Sequence, residues 1–249
     1  MAFVATRIGL DAFSAPQLVA LRFLIAAAPA LLLPRPALPW SALVPVGLTL
    51  FAGQFLFQFF GIAHGMPPGL ASVIVQTQAL FTIVFAALAL IALSVGGEFS
   101  PGAFALTLVS PVSFGIGNVL LKRLGPAEVT SLMAWLSLVP PLPALAVSLV
   151  SNGPRALPRA LAAATAADWL AALFLGLMAT SLAYALWAAL LRRDETATVA
   201  PFALLVPFVG ALSASLAFGE RFGPLRLAGM ALVLAGLAVI VYSRRTGGR

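Results

Sequence analysis

The chain is expected to be all-α, a polytopic membrane helix bundle, and three observations lead there. Hydrophobic residues make up 62% of the 249 and charged ones 8%, with a mean hydropathy of +1.09; so few charges cannot cover the surface of a water-soluble domain. The apolar residues fall in runs of bilayer-spanning length, separated by short connections most of which carry Pro, Gly or Arg. The best-formed runs, within 200–242, meet at the charged step Gly219-Glu220-Arg221-Phe222-Gly223-Pro224 and read as a hairpin of two transmembrane helices. Small residues at helical spacing in the second run, Ala228, Gly229, Ala231, Ala235 and Gly236, suit close helix packing in lipid.

Taken in order, residues 1–10 (MAFVATRIGL) are too short to span, and they lack the basic start, apolar core and cleavage site of a signal peptide. They read as the tail of a helix. Spans are then expected at 16–33, 43–63, 68–95, 102–122, 127–150, 168–191, 196–217 and 222–243, about eight full spans plus the N-terminal stub. The longest connection, 151–167 (SNGPRALPRALAAATAA), reads as a surface helix lying in the interface. Pro111, Pro140, Pro141, Pro143 and Pro207 fall inside spans, where each removes a backbone donor and bends its helix. Kinked helices around a cavity suit a transporter, though they also occur in inert bundles.

The net charge of +7 comes from residues placed at the ends of apolar runs, a topology signal and no sign of nucleic acid. Lys122-Arg123, Arg192-Arg193 and Arg244-Arg245 each close a span, and the spans alternate so that all three pairs share one face, expected to be cytoplasmic. With Arg35 also inside, the first half comes out one crossing short. An offset of 129 residues lays the span beginning at Ala71 on the one beginning at Ala200, and after Leu90 the first half has no counterpart of Glu220-Arg221 and the span beyond. The expected organisation is therefore two five-helix repeats of opposite orientation, an incomplete one at 1–97 and a second at 98–249. A single crossing at 68–95 would invert the first half and place Arg35 on the outer face, because that translocates fewer basic residues than turning over the second half.

Several chemistries are excluded. Without Cys there is no disulfide, thiolate metal site or thiol nucleophile, and one His with no evident cluster of buried acids leaves little for an enzyme. No GxxxxGK[ST] motif binds ATP, and Gly115-Ile116-Gly117 lacks the third Gly and the preceding strand of a dinucleotide loop. No cofactor and no metal are expected; the expected partners are a small-molecule substrate and the lipid bilayer, with a homodimer left open. His64 reads as an interfacial, solvated side chain, and Glu220-Arg221 as a charged hairpin turn.

The polar side chains within spans are the candidates for binding a substrate. Gln54 and Gln58, at i, i+4, share one helix face and either line a cavity or bond between helices. Gln76 and Gln78, at i, i+2, face different ways, so at most one reaches a cavity. Arg22 either snorkels to headgroups or holds a substrate carboxylate. Tyr184 and Trp187 share a face with Thr180 and build a cavity wall or belong to an interfacial belt; Trp135 has the same two readings. Asn118 follows Gly115 and Gly117 near a helix end, where packing and substrate contact both fit.

The runs GMPPGLASVIVQTQALFTI (65–83) and APFALLVPFVGALSASLAFGERF (200–222) resemble the EamA-type branch of the drug/metabolite transporter superfamily, supported by Leu21-Arg22-Phe23, Gly117-Asn118, VTSLMAW (129–135) and Tyr184 with Trp187. Within it the chain looks most like the bacterial exporters of cysteine and O-acetylserine. The resemblance implies a ten-helix fold of two inverted repeats in the bacterial inner membrane, with cytoplasmic termini, exporting small polar metabolites through a central cavity. The chain departs from that pattern in lacking the opening of helix one and a stretch after Leu90. The competing expectation is thus a truncated, non-transporting membrane protein or assembly partner.

Overall fold

The computed structural model describes residues 1–75, 100–124, 127–193, 205–219 and 223–224, and among these it is helical throughout, without strands. Helix α1 (Ala2–Gly9) is followed by α2 (Ala15–Ala26), which opens with Pro16 in its first turn and with Ser14 N donating to Gln17 Oε1 at 3.0 Å. Helix α3 (Trp40–Ala63) is wound as a π-helix over Gly47–Gly53. Gly65, at φ +100°, turns the chain into α4 (Pro68–Val75). Helix α5 (Pro101–Arg123) carries Pro111 in its interior. Helix α6 (Val129–Asn152) is broken at 137–140, where Pro140 and Pro141 end one segment and start the next.

A short α7 (Ala156–Ala163) has no buried residue, as suits a helix lying on the surface. Helix α8 runs over 166–193 with a π-wound middle, Phe174–Leu182, and α9 is Val206–Phe218 with Pro207 in its first turn instead of its interior. Among the described residues three helices, Trp40–Ala63, Val129–Asn152 and Ala166–Leu186, are long and apolar enough to cross a membrane. Leu142, Val150, Leu170, Leu212 and Leu216 are each more than half exposed, a surface that water would not tolerate and lipid does. The span expected at 222–243, most of 68–95 and part of 196–217 lie outside the described residues.

Helix α2 is the hub. It packs on α3, on the second half of α6 and on the π-wound part of α8, and its Leu18, Val19 and Phe23 have no exposed surface. Helix α3 lies along α5 at very short range because glycines face the contact: a Cβ on Gly117 would stand 2.6 Å from the Leu50 backbone, and one on Gly53 or Gly61 would overlap the hydroxyls of Ser113 or Thr107. A second cluster, with Phe3, Ile62, Met66, Leu70, Ile74 and Ala103, joins α1, α4 and the start of α5, while α9 packs on α4.

These contacts correct the expected inversion of the first half. The loop after α2 is tied to the start of α6: Trp135 Nε1 donates to the Leu33 carbonyl at 3.2 Å and Ser131 Oγ donates to that of Pro34. Because α6 starts just after α5 closes with Lys122-Arg123, Arg35 lies at the same end as that pair, not opposite it. Arg7 sits at the other end, ion-paired to Asp11 at 2.6 Å near where Phe13 meets Trp169 at the start of α8. The parity count assumed one full crossing between the end of α3 and the start of α5. Met66, Leu70 and Ala103 instead share one cluster, and Gly61 faces Ala103 and Thr107, so α4 and α5 both begin at the end where α3 finishes.

Candidate functional site

Arg22 stands at the centre of the bundle. Hydropathy left open whether it snorkels, and the structure puts it at 3% exposed, its guanidinium 3.9 Å from the centroid of Phe55, with Phe23 and Phe59 at 5.6 and 5.9 Å. The rings form a continuous stack: Phe23 on Phe51 at 5.0 Å, Phe55 on Phe59 at 5.9 Å, and Phe51 on Tyr184 at 5.7 Å. The i, i+4 spacing of Phe51, Phe55 and Phe59 puts all three on one face of α3.

Arg22 Nε donates to Thr180 Oγ1 at 2.9 Å, and Thr180 Oγ1 donates in turn to the Leu175 carbonyl at 2.7 Å, five residues back along the π-wound segment. Widening a helix to π leaves carbonyls for side chains to reach, and such segments recur at functional sites. Here the π segment lets a side chain of α8 carry a hydroxyl to a cation on α2. Thr180 is the one hydrogen-bond acceptor of Arg22 among the described residues.

The described carboxylates are engaged elsewhere. Asp11 pairs with Arg7, Glu128 caps α6 by accepting from Thr130 N and Ser131 N, and Asp168 bonds Thr165 in the capping box of α8. Taking a cation out of water costs several kcal/mol even after relaxation. A cation–π contact returns about 2 kcal/mol and one charge-assisted hydrogen bond about 1.5–3 kcal/mol. Arg22 is therefore held at a cost, which is what a polar group kept inside a membrane bundle for function looks like.

Gln54 and Gln58, on the same helix as the aromatic stack, are 5% and 4% exposed, and Gln54 Oε1 has no partner among the described residues. Beside Thr180 and Tyr184 a cavity of about 20 Å³, room for about one water, is lined also by Thr130, Ser137, Ser181 and Ala26. It extends from the Arg22 level towards Thr130 and Pro29, the end that carries Lys122-Arg123.

Of the residues singled out by sequence, Arg22 and Tyr184 are brought together, with Gln54 and Gln58 on the adjoining helix. Trp135 is placed at the loop end, bonded to Leu33 and 6.2 Å from Trp40. Asn118 and Trp187 lie in described helices, but their side chains, like Gln76 and Gln78, lie outside the described residues. Sequence reasoning missed the phenylalanines at 51, 55 and 59 and the hydroxyls at 130, 137 and 181. The spacing of the three phenylalanines was a usable signal; isolated serines and threonines carried none.

A bilayer-embedded helical bundle with a buried cation that no described acid pairs, and with the buried amide oxygen of Gln54 unpartnered among the described residues, has the build of a solute carrier. Residues 101–242 match the EamA-like transporter family. The chain is 38% identical to a probable amino-acid metabolite efflux pump of Salmonella typhimurium, over 98% of this chain and 91% of the relative, and 35% identical to one of Escherichia coli with the same coverage. The chain belongs to the EamA-like transporter family. Each alignment runs over 272 positions, and 98% of 249 residues is about 244, so about 28 aligned positions have no counterpart in this chain, close to the length of one spanning helix with its turn.

Proposed function

We propose that the chain is a secondary exporter of small, amino-acid-like metabolites such as cysteine or O-acetylserine, working by alternating access between two EamA-like repeats, residues 1–97 and 98–249, in a bacterial inner membrane with the C-terminus cytoplasmic. The observation that carries this reading is the buried Arg22, held by Thr180 between α2, α3 and α8 with no acidic partner among the described residues. The cavity beside it is lined on one side by Thr130 and Pro29, towards the end of the basic pair, the side from which an exporter loads. At about 20 Å³ it takes no metabolite as it stands, so the helices around it must move apart during transport. The efflux-pump names of the two relatives support the direction.

Purified protein in liposomes loaded with labelled cysteine or O-acetylserine tests the proposal. Efflux above that of protein-free liposomes is expected, reduced at least about tenfold by Tyr184→Ala, which removes a residue lining the cavity, and by Gln54→Ala, which removes a buried polar group from α3. Membrane insertion should be unchanged in both. Normal efflux in both variants would remove the cavity assignment, and no efflux from the unaltered chain would favour the non-transporting alternative.

A further inference from the structure

We propose that Arg22 is the anion-binding residue of the transport site, taking the carboxylate of the substrate, and that the substrate's amino group is dispensable. The inference rests on the transporter reading and specifies which part of the substrate the site recognises.

The two terminal nitrogens of Arg22 have no acceptor among the described residues, although the side chain is 97% buried by its own neighbours. A planar guanidinium with both terminal nitrogens available matches a carboxylate by two parallel hydrogen bonds. Among the described residues only Nε is spent, on Thr180, and that bond together with the Phe55 face fixes the plane of the fork. A ligand carboxylate would supply the missing counter-charge, so it gains more here than at an exposed arginine.

Among the described residues no carboxylate is available to an ammonium group, since Asp11, Glu128 and Asp168 are all engaged elsewhere. The described residues that line the cavity are neutral, their polar groups being the hydroxyls of Thr130, Ser137, Thr180, Ser181 and Tyr184. Neutral acceptors tolerate an ammonium without requiring it. A monoanion leaves the centre electrically balanced, whereas a zwitterion leaves its positive end to be solvated by dipoles alone.

Three probes separate the contributions: N-acetylalanine, alanine and alaninamide, with net charges of −1, 0 and +1 at neutral pH. Titration calorimetry on the detergent-purified full chain is expected to show N-acetylalanine binding at least as tightly as alanine, and alaninamide at least about tenfold more weakly. Arg22→Gln should bring the three affinities within about twofold of one another, while Arg22→Lys keeps part of the preference because it keeps the charge and loses the fork. Alaninamide binding as well as alanine, absent binding of N-acetylalanine, or an unchanged preference in Arg22→Gln would each overturn the proposal. The wild-type series decides the matter even if Arg22→Gln does not purify. Efflux in liposomes that is indifferent to the carboxylate would overturn this site and leave the transporter reading standing; carboxylate-selective binding without efflux would do the reverse.

Discussion

Helices α3 and α8 stand on either side of Arg22, and both are π-wound in the middle, over Gly47–Gly53 and Phe174–Leu182. The 129-residue offset seen in the sequence carries Gly47 onto Gly176 and Phe55 onto Tyr184. They differ in what completes their backbone hydrogen bonding. In α3 the Thr49 carbonyl accepts from Ser113 Oγ of α5 at 2.7 Å, and Gly117 of α5 lies against the Leu50 backbone. In α8 the Leu175 carbonyl accepts from Thr180 of the same helix, and Ser181 Oγ lies 3.2 Å from both its own Gly176 carbonyl and the Ala26 carbonyl of α2. One hydroxyl proton serves one of these at a time. Helix α3 is bolted to α5, while α8 keeps its hydrogen bonds within itself and can trade one with α2. The comparison teaches that, in lipid, a helix free to shift is one that satisfies its own backbone when it does so.

The comparison can be broken most forcefully at the glycines. Gly117→Ala drives a methyl into the backbone of α3 and is expected to cost about 3 kcal/mol or more, read as a large drop in thermal unfolding temperature in detergent. Gly176→Ala meets Ile25 Cγ2 first, at 2.5 Å, with the Arg22 carbonyl at 2.9 Å, and should cost about 1–2 kcal/mol, the loss being smaller when it is made in an Ile25→Ala background that lacks Cγ2. Equal losses at the two glycines would mean that α8 is fixed as firmly as α3.

A smaller effect is expected from the hydroxyls. Ser113→Ala leaves the Thr49 carbonyl unpaired and should cost about 1–2 kcal/mol. Ser181→Ala should change stability by less than about 0.5 kcal/mol while altering the efflux rate, because it removes a bond that α8 exchanges with α2. A stability loss at Ser181 as large as that at Ser113 would end the distinction between anchored and shifting helices. The smallest expected effect is no difference at all: since the chain has no Cys, single cysteines at Ala37→Cys and Leu124→Cys can be labelled cleanly in whole cells, and both should be protected from an impermeant reagent added outside. Labelling of Ala37→Cys alone would restore the inverted first half.

Much of the fold was legible in the sequence. Hydropathy is a comparison of each stretch with the solvent around it, so it located α2, α3, α5, α6 and α8 from local composition alone. It also marked 151–167 as a surface segment, where α7 has no buried residue. The break in α6 was announced by its prolines, but only as a bend. The orientation of the first half was misread because counting charges requires knowing how many times each segment crosses, and that depends on where α4 and α5 begin relative to α3, a matter of packing between Met66, Leu70 and Ala103.

The site divides along the same line. By itself the sequence determined that this is a membrane protein and that Arg22, Gln54, Gln58 and Tyr184 are polar groups placed at a cost within apolar helices. Only the tertiary structure decided that Arg22 turns inward onto Phe55 and Thr180, a residue 158 positions away, and not outward to headgroups. The physical reason is that a helix offers its polar side chain to whichever neighbour can take it. The π winding that brings the Thr180 hydroxyl within 2.9 Å of Arg22 leaves no mark on composition, since it changes hydrogen bonding along the backbone without changing the residues that carry it.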